Sequence, residues 1–305
     1  MISIISIVKD DRGIEVTLKS LEKVKKPEKT ETIVIDASEG KLDDIKKKFP
    51  KVRWIAFHNK TKKKITIPEQ RNLGIKEAKG DIIAFIDAGC TVDKKWLIQL
   101  INPLKKENEF FVAGSIISKS KNSIYDKTFI SYRKGKKYLD STGSSNTAFK
   151  KKVVDVIGGY DPKFSYGSDI DFSWRVIDAG YKVRSVQEAK MYIHWGDTKE
   201  DFRRAYRYGV SKVEQYRKHP QRLKFMLFYK EDLFTPYSVA FFFYIISLIP
   251  ISVMFPYYAL LLLIPIIRNI KNNLFRKLMF DWFWGLGVIV GLSKLIFSKN
   301  ANKKK

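Results

Sequence analysis

The apolar run Ile82–Ile86 constrains this chain more than any other stretch. It holds no polar side chain and is too short for a core helix, so it predicts a strand covered on both faces, as in a mostly parallel sheet. Helical spacing of Leu73, Ile75 and Ala78 precedes it, with a tight turn at Gly80, and Asp87 follows at once. In open α/β sheets ligands gather outside the carboxyl ends of the strands, which is where Asp87 emerges. A carboxylate delivered by so apolar a strand is costly to place unless a cation meets it.

The flanking sequence alternates strand and helix at short spacing, which calls for a parallel sheet with right-handed crossovers. Residues 2–8 predict the first strand, ending at Lys9-Asp10-Asp11. A helix with Val16, Leu18, Leu21 and Val24 inward stops near Pro27, and a second strand, 32–35, closes on Asp36-Ala37-Ser38. A helix at 42–49, a strand at 52–57 and a basic loop, 58–64, come next, and Pro68 suits a first helical turn. Beyond the central strand, Asp93 is expected to cap a helix that begins at Lys94 and ends near Pro103. A strand at 110–117, a variable lysine-rich loop at 118–137, a helix stopped by Gly158, another stopped by Gly180 and a last strand lead to His194-Trp195.

The carboxyl end is of a different kind. No charged residue occurs from Leu233 to Ile267, and a second apolar tract, 278–297, is interrupted only by Asp281 and Lys294. About 20 apolar residues cross a bilayer, so this end is expected in the membrane. Pro250 and Pro256 interrupt the first tract, which predicts a hairpin, crossing fully or re-entering, with Arg268, Lys271, Arg276 and Lys277 returned to the cytoplasmic side. The second tract either crosses, exporting Lys303–Lys305, or lies shallowly; Gly287 and Gly291 offer a close helix contact in both cases. Before the tracts, a basic helix at 200–218 with Phe202, Tyr206, Gly209, Val213 and Tyr216 on one side suits a membrane interface or packing on the protein.

The formal net charge is +26. Its lysines are spread through helices, loops and the flanks of the apolar tracts, a distribution that fits an anionic leaflet rather than nucleic acid. A single cysteine, Cys90, excludes an internal disulfide and a cysteine-based metal site. The chain opens directly on a strand with no secretory pattern, so the α/β part is expected at the cell membrane facing the cytoplasm. The predicted division is 1–199 for the α/β domain, 200–232 for the interfacial segment and 233–305 for the membrane-embedded end.

Four motifs agree in order and spacing: R-N-x-G at Arg71–Gly74, A-x-G-D at Ala78–Asp81, the apolar strand ending in Asp87-Ala88-Gly89, and Trp96-Leu97. Together they resemble the inverting family 2 glycosyltransferases of the GT-A fold. The resemblance spans about residues 2–195. It implies a doubly wound sheet with helices on both faces, a nucleotide-sugar donor, a divalent cation (Mg²⁺ or Mn²⁺), and transfer with inversion to an acceptor that the membrane segments suggest is lipid-linked. By the same resemblance Asp36 and Ser38 of the D-x-S motif would meet the base, Arg71 and Asn72 the nucleotide sugar, and Asp87 both nucleotide and metal, with His194 a supplementary metal ligand. The family's D-x-D reads D-A-G here, so its second carboxylate is missing. The family's G-E-D-x-D-[LF]-x-x-R reads GSDIDFSWR at 167–175, which makes Asp169 the catalytic base and puts Ser168 and Asp171 on the acceptor side. The segment SSNTAF resembles the acceptor-side strand, with Asn146 available to a sugar hydroxyl. The rival reading is an inactive membrane-tethered relative that binds nucleotide or polyanion, and its grounds are the missing second carboxylate and Ser168 in place of glutamate.

Overall fold

The computed structural model describes residues 1–60, 64–120, 135–224, 234–269 and 274–302. Most of the lysine-rich loop, part of the basic loop at 58–64, Leu233, Lys271 and Lys303–Lys305 lie outside them. The described residues form two compact units, one ending at His194 and the other beginning at Trp195.

The first unit is built on a nine-stranded sheet. Its strands are β1 (Ile2–Val8), β2 (Thr30–Asp36), β3 (Arg53–Ala56), β4 (Ile82–Phe85), β5 (Thr91–Val92), β6 (Phe111–Ser118), β7 (Tyr138–Leu139), β8 (Thr147–Lys150) and β9 (Val183–Ile193). They lie in the order β3-β2-β1-β4-β8-β6-β9-β5, with β7 paired to β9. β3, β2, β1 and β4 run parallel, β8 runs antiparallel between β4 and β6, and β6 and β9 are again parallel. The helices are α1 (Ile14–Glu22), α2 (Asp43–Lys48), α3 (Ile67–Glu77), α4 (Trp96–Lys106), α5 (Lys152–Ile157) and α6 (Ser168–Asp178).

In β1 the residues of both alternations, Ile2, Ile4, Ile5, Ser3 and Ser6, are buried, so both faces of the sheet are covered. The serines are tolerated there because each hydroxyl has an acceptor, Glu31 for Ser3 and the Ile86 carbonyl for Ser6. Gly80 is required by close approach: a β-carbon on it would lie 2.7 Å from the Ser3 nitrogen. That contact seats the start of β4 beside β1, so Asp87 leaves the sheet beside the ends of β1 and β2.

Local details differ from expectation. Val16 is exposed; the inward residues of α1 are Ile14, Thr17, Leu18 and Leu21. Asp93 is no cap, because α4 starts at Trp96 and the Asp93 carboxylate accepts instead from the Tyr192 hydroxyl at 3.3 Å. α4 also continues through Pro103, which is buried with Leu100, Ile101 and Leu104; packing of that stripe outweighs the missing hydrogen bond.

The second unit contains α7 (Thr198–Lys218), α8 (Phe234–Met254), a 3₁₀ turn (Pro256–Leu262), α9 (Leu263–Asn269) and α10 (Leu274–Asn302). Asp197 caps α7 by accepting from the Glu200 nitrogen at 3.0 Å. Pro250 is accommodated inside α8, and the chain breaks at Phe255-Pro256. The buried stripe of α7 is Asp201, Ala205, Gly209 and Val213, while Phe202, Tyr206 and Tyr216 are only partly covered. Among the described residues one helical stretch, Leu274–Phe297, is long and apolar enough to cross a membrane.

Candidate active site

Asp87 sits in the turn after β4, and its side chain is 39% exposed. The turn is held from below: the Thr17 hydroxyl donates to the Asp87 carbonyl at 3.3 Å, and a β-carbon on Gly13 would lie 2.9 Å from the Gly89 Cα. Gly89 has φ +80°, a backbone that favours glycine at the position where the motif would carry its second carboxylate. Across from Asp87 stands Arg71 of α3, with Nη2 3.6 Å from a carboxylate oxygen. Its guanidinium also lies over the ring of Tyr160 at 5.3 Å, and its buried Nε has no hydrogen-bond partner. A cation held by one carboxylate and a ring, with a donor unspent, is suited to a phosphate arriving beside Asp87.

Tyr160 ties this corner to the opposite wall. Burial pushes its phenol up to about 12; Arg71 opposes the shift, and the charges of Asp169 and Asp87 add to it. Both carboxylates therefore lie within electrostatic reach of one hydroxyl, which also accepts from Ser144 at 2.9 Å. Asp169, at the start of α6, is partly exposed, and one of its oxygens accepts from the Ile170 nitrogen at 2.9 Å. Its other oxygen would be 3.4 Å from a β-carbon on Gly143, so Gly143 leaves that oxygen room.

The D-x-S corner is more enclosed. The Asp36 side chain is 2% exposed; one oxygen accepts from the Ser38 nitrogen at 2.8 Å and the other pairs with Lys46 at 2.9 Å. Lys46 also reaches Asp43 at 2.9 Å, and these two carboxylates, Asp36 first, raise its pKa. Lys46, like Tyr160, was not singled out from the sequence. It lies in a run of three lysines on a short helix, with nothing to mark it as the one turned inward.

Several sequence-predicted residues are spent on structure. Ser38 accepts from the Asp10 nitrogen at 2.8 Å and is buried, so it fastens the end of β2 to the end of β1. The Asn72 amide donates to the Tyr160 carbonyl and accepts from the Tyr160 nitrogen, each at 2.7 Å; it positions that loop instead of facing a ligand. Asn146 is fully buried: its oxygen accepts from Trp96 at 2.7 Å, and its nitrogen donates to the carbonyls of Ser115 and Ala189. No acceptor sugar can reach it. Asp171 is likewise fully buried and paired with Arg175 at 2.9 Å, and Ser168 is buried at the first turn of α6.

For a divalent cation the donor set is small. Among the described residues no group of three or more His, Cys, Asp or Glu side chains converges. His194 is exposed at the end of β9. β9 pairs antiparallel with β5, Thr91 opposite Tyr192, so His194 follows the strand that flanks the segment after Asp87. One carboxylate and one imidazole are hard and borderline donors that fit an ion whose remaining ligands come from a diphosphate. Cys90, buried beside this turn, is held protonated by burial and by the Asp87 charge, which leaves it out of the donor set.

The chain is similar to known proteins. The glycosyl transferase family 2 profile matches residues 3–157, and the glycosyl transferase family group 2 profile matches residues 90–268. A pre-mycofactocin glycosyltransferase of Mycobacterium tuberculosis is 24% identical over 165 residues, which is 50% of this chain and 35% of that protein. Glycosyltransferase AglE of Haloferax volcanii is 24% identical over 119 residues, 37% of this chain and 39% of that one. The chain thus spans little more than a third of the length of these curated relatives. Among solved structures, the mannosyltransferase PcManGT from Pyrobaculum calidifontis, in complex with GDP-Man and Mn²⁺, superposes with a TM-score of 0.65 at 15% identity over 95% of this chain and 86% of that one. S. aureus TarS 1-349 gives 0.53 at 15% identity, covering 76% and 74%. At such identity the likeness is one of fold.

Proposed function

The chain belongs to glycosyl transferase family 2, and on that premise we propose that it is a membrane-anchored enzyme moving a sugar from a nucleotide-sugar donor, with inversion, to a lipid-linked acceptor in glycan assembly. The observation that carries this reading is the meeting of Arg71, Asp87 and Asp169 around Tyr160. The solved neighbours bound to GDP-Man with Mn²⁺ or to UDP support the donor class.

In this mechanism the acceptor oxygen attacks the anomeric carbon from the face opposite the diphosphate. The bond from that carbon to the phosphate oxygen breaks with its electron pair on the leaving group, and Asp169 takes the acceptor proton. Arg71 neutralises the departing diphosphate, a charge stabilisation of the kind that dominates such transfers. Asp36, paired with Lys46, would accept the ring N–H of the base. Asp87, with His194, would hold a divalent cation brought by the donor, and such an ion would supply further neutralisation of the diphosphate. Residues 1–199 are assigned the chemistry, 200–232 an interfacial segment and 233–305 the membrane anchor, with the catalytic part on the cytoplasmic side.

A panel of nucleotide sugars assayed with and without Mn²⁺, with the anomeric configuration of the product read by NMR, tests this reading. Asp169→Asn is expected to lower turnover by roughly 10²–10⁴ and to spare donor affinity. A collapse of donor affinity in that variant would move Asp169 to the donor site. Donor binding without transfer or hydrolysis across the panel would favour the inactive nucleotide-binding relative.

A further inference from the structure

By length and apolar content α10 passes for a bilayer crossing, but its packing argues against one. α7 runs beside it in the same direction. Phe202 stacks on Phe283 with centroids 5.3 Å apart, a β-carbon on Gly209 would lie 2.2 Å from the Trp284 carbonyl oxygen, and one on Gly291 would lie 3.0 Å from the Val210 carbonyl oxygen. The two backbones touch along the middle of α10, so α7 goes wherever that middle goes.

α7 cannot go into hydrocarbon. Away from its small buried stripe it carries Lys199, Arg203, Arg207, Lys212, Arg217 and Lys218, of which Arg203 and Arg207 stand exposed at the level of the contact. Charged side chains at a bilayer centre are costly, and these lie along the whole helix rather than at an end from which all could reach the interface. One face of the middle of α10 is also covered by its neighbours: Phe280, Asp281, Gly285, Gly287, Val288 and Gly291 are buried, while Trp282, Leu286 and Ile289 are partly covered. On its other side a β-carbon on Gly285 would lie 2.2 Å from the Ser238 carbonyl oxygen of α8. Most large exposed apolar side chains of this unit lie between Phe243 and Ile267, with Val253 at 80% and Tyr257 at 83%, and those of α10 stand near its two ends, at Phe275, Leu292, Ile296 and Phe297.

Resting on the membrane reading above, we propose that α10 does not cross the bilayer. α7 and α10 lie together along an anionic lipid surface, and only the segment 243–267 enters the acyl layer. The occupant is identified by complementarity. An uncharged, aromatic-rich apolar surface beside a basic helix matches acyl chains bordered by anionic headgroups.

The test uses the full chain in a Cys90→Ser background, expressed in cells whose membranes are prepared as right-side-out and inside-out sealed vesicles. Single variants Arg207→Cys, Phe275→Cys, Asn302→Cys and Met254→Cys are exposed to an impermeant maleimide. Positions 207, 275 and 302 are expected to label in the same preparation and to stay silent in the other. Position 254 should label in neither and yield only to a permeant maleimide. Labelling of 275 and 302 in opposite preparations would overturn the inference while leaving membrane anchoring intact. Recovery of every variant in the soluble fraction, as monomer or as a dimer covering this surface, would instead overturn the membrane reading itself.

Discussion

Asn146 holds a φ of +60° and no exposed surface, and its amide ties Trp96, Ser115 and Ala189 together. Asn146→Ala would leave two carbonyls and an indole N–H unpaired in the interior, each costing about 1–3 kcal/mol. The expected result is a loss of roughly 3–5 kcal/mol in urea unfolding, with donor affinity unchanged in whatever fraction stays folded. Tyr160 gives a pH signature. Its phenol titrates near 10 when unfolded but is pushed up to about 12 in the fold, so the stabilising difference is complete below pH 10 and lost as pH rises through 12. Between those limits wild type should lose about 2–3 kcal/mol more than Tyr160→Phe. Urea midpoints of the two proteins at pH 9 and near pH 11.5 check this, and a constant gap would contradict it. Asp87 was legible in the sequence because an apolar strand has few reasons to end in a carboxylate. Asn146 and Asn72 were not, since an amide in a family motif looks the same whether it meets a sugar or a buried carbonyl.

At the level of elements, the α7–α10 contact depends on absent side chains. A β-carbon on Gly209 would meet the Trp284 carbonyl at 2.2 Å, and one on Gly287 would meet the Tyr206 carbonyl at the same distance. Backbone cannot swing aside as a side chain can, so Gly209→Leu must push the helices apart. The variant is expected to open this unit to limited proteolysis at temperatures where wild type resists. An unchanged cleavage pattern would show that α7 and α10 are not packed this way. Gly287 and Gly291 could be read from the sequence as a close-contact pair, but their partner could not, because α7 is a polar helix carrying a single glycine in its buried stripe. Strand positions were legible wherever apolar runs were bounded by charge. Helix starts were less so, as Asp93 illustrates, since an aspartate just before a helix satisfies a cap pattern and a hydrogen bond from a distant tyrosine equally well.

The whole molecule couples a net charge of +26 to a large exposed apolar surface in the second unit. Surface attraction to anionic lipid is screened within about 8 Å at physiological salt and within a few ångströms at 1 M, whereas burial of apolar area is not. Floated with vesicles containing anionic lipid, the protein is therefore expected to remain bound at about 1 M salt. Release at that salt would mean that only charge holds it. The alternation of strand and helix that defines the first unit could be read from residues 2–97. The insertion of β8 could not, because a short strand of four residues carries no mark of which neighbours it will join.

That insertion sets an order of events during synthesis. β4 pairs with β1 on one side and with β8 on the other, and β8 lies more than sixty residues further along the chain. While those residues are being made, Ile82, Ile83, Ala84 and Phe85 can join β1 but must present an unpaired, wholly apolar edge to their surroundings. The nascent chain thus passes through an interval in which its most hydrophobic strand is half-satisfied and sticky. Translation speed between Asp87 and Thr147, rather than stability of the finished fold, would then govern how much protein survives its own production.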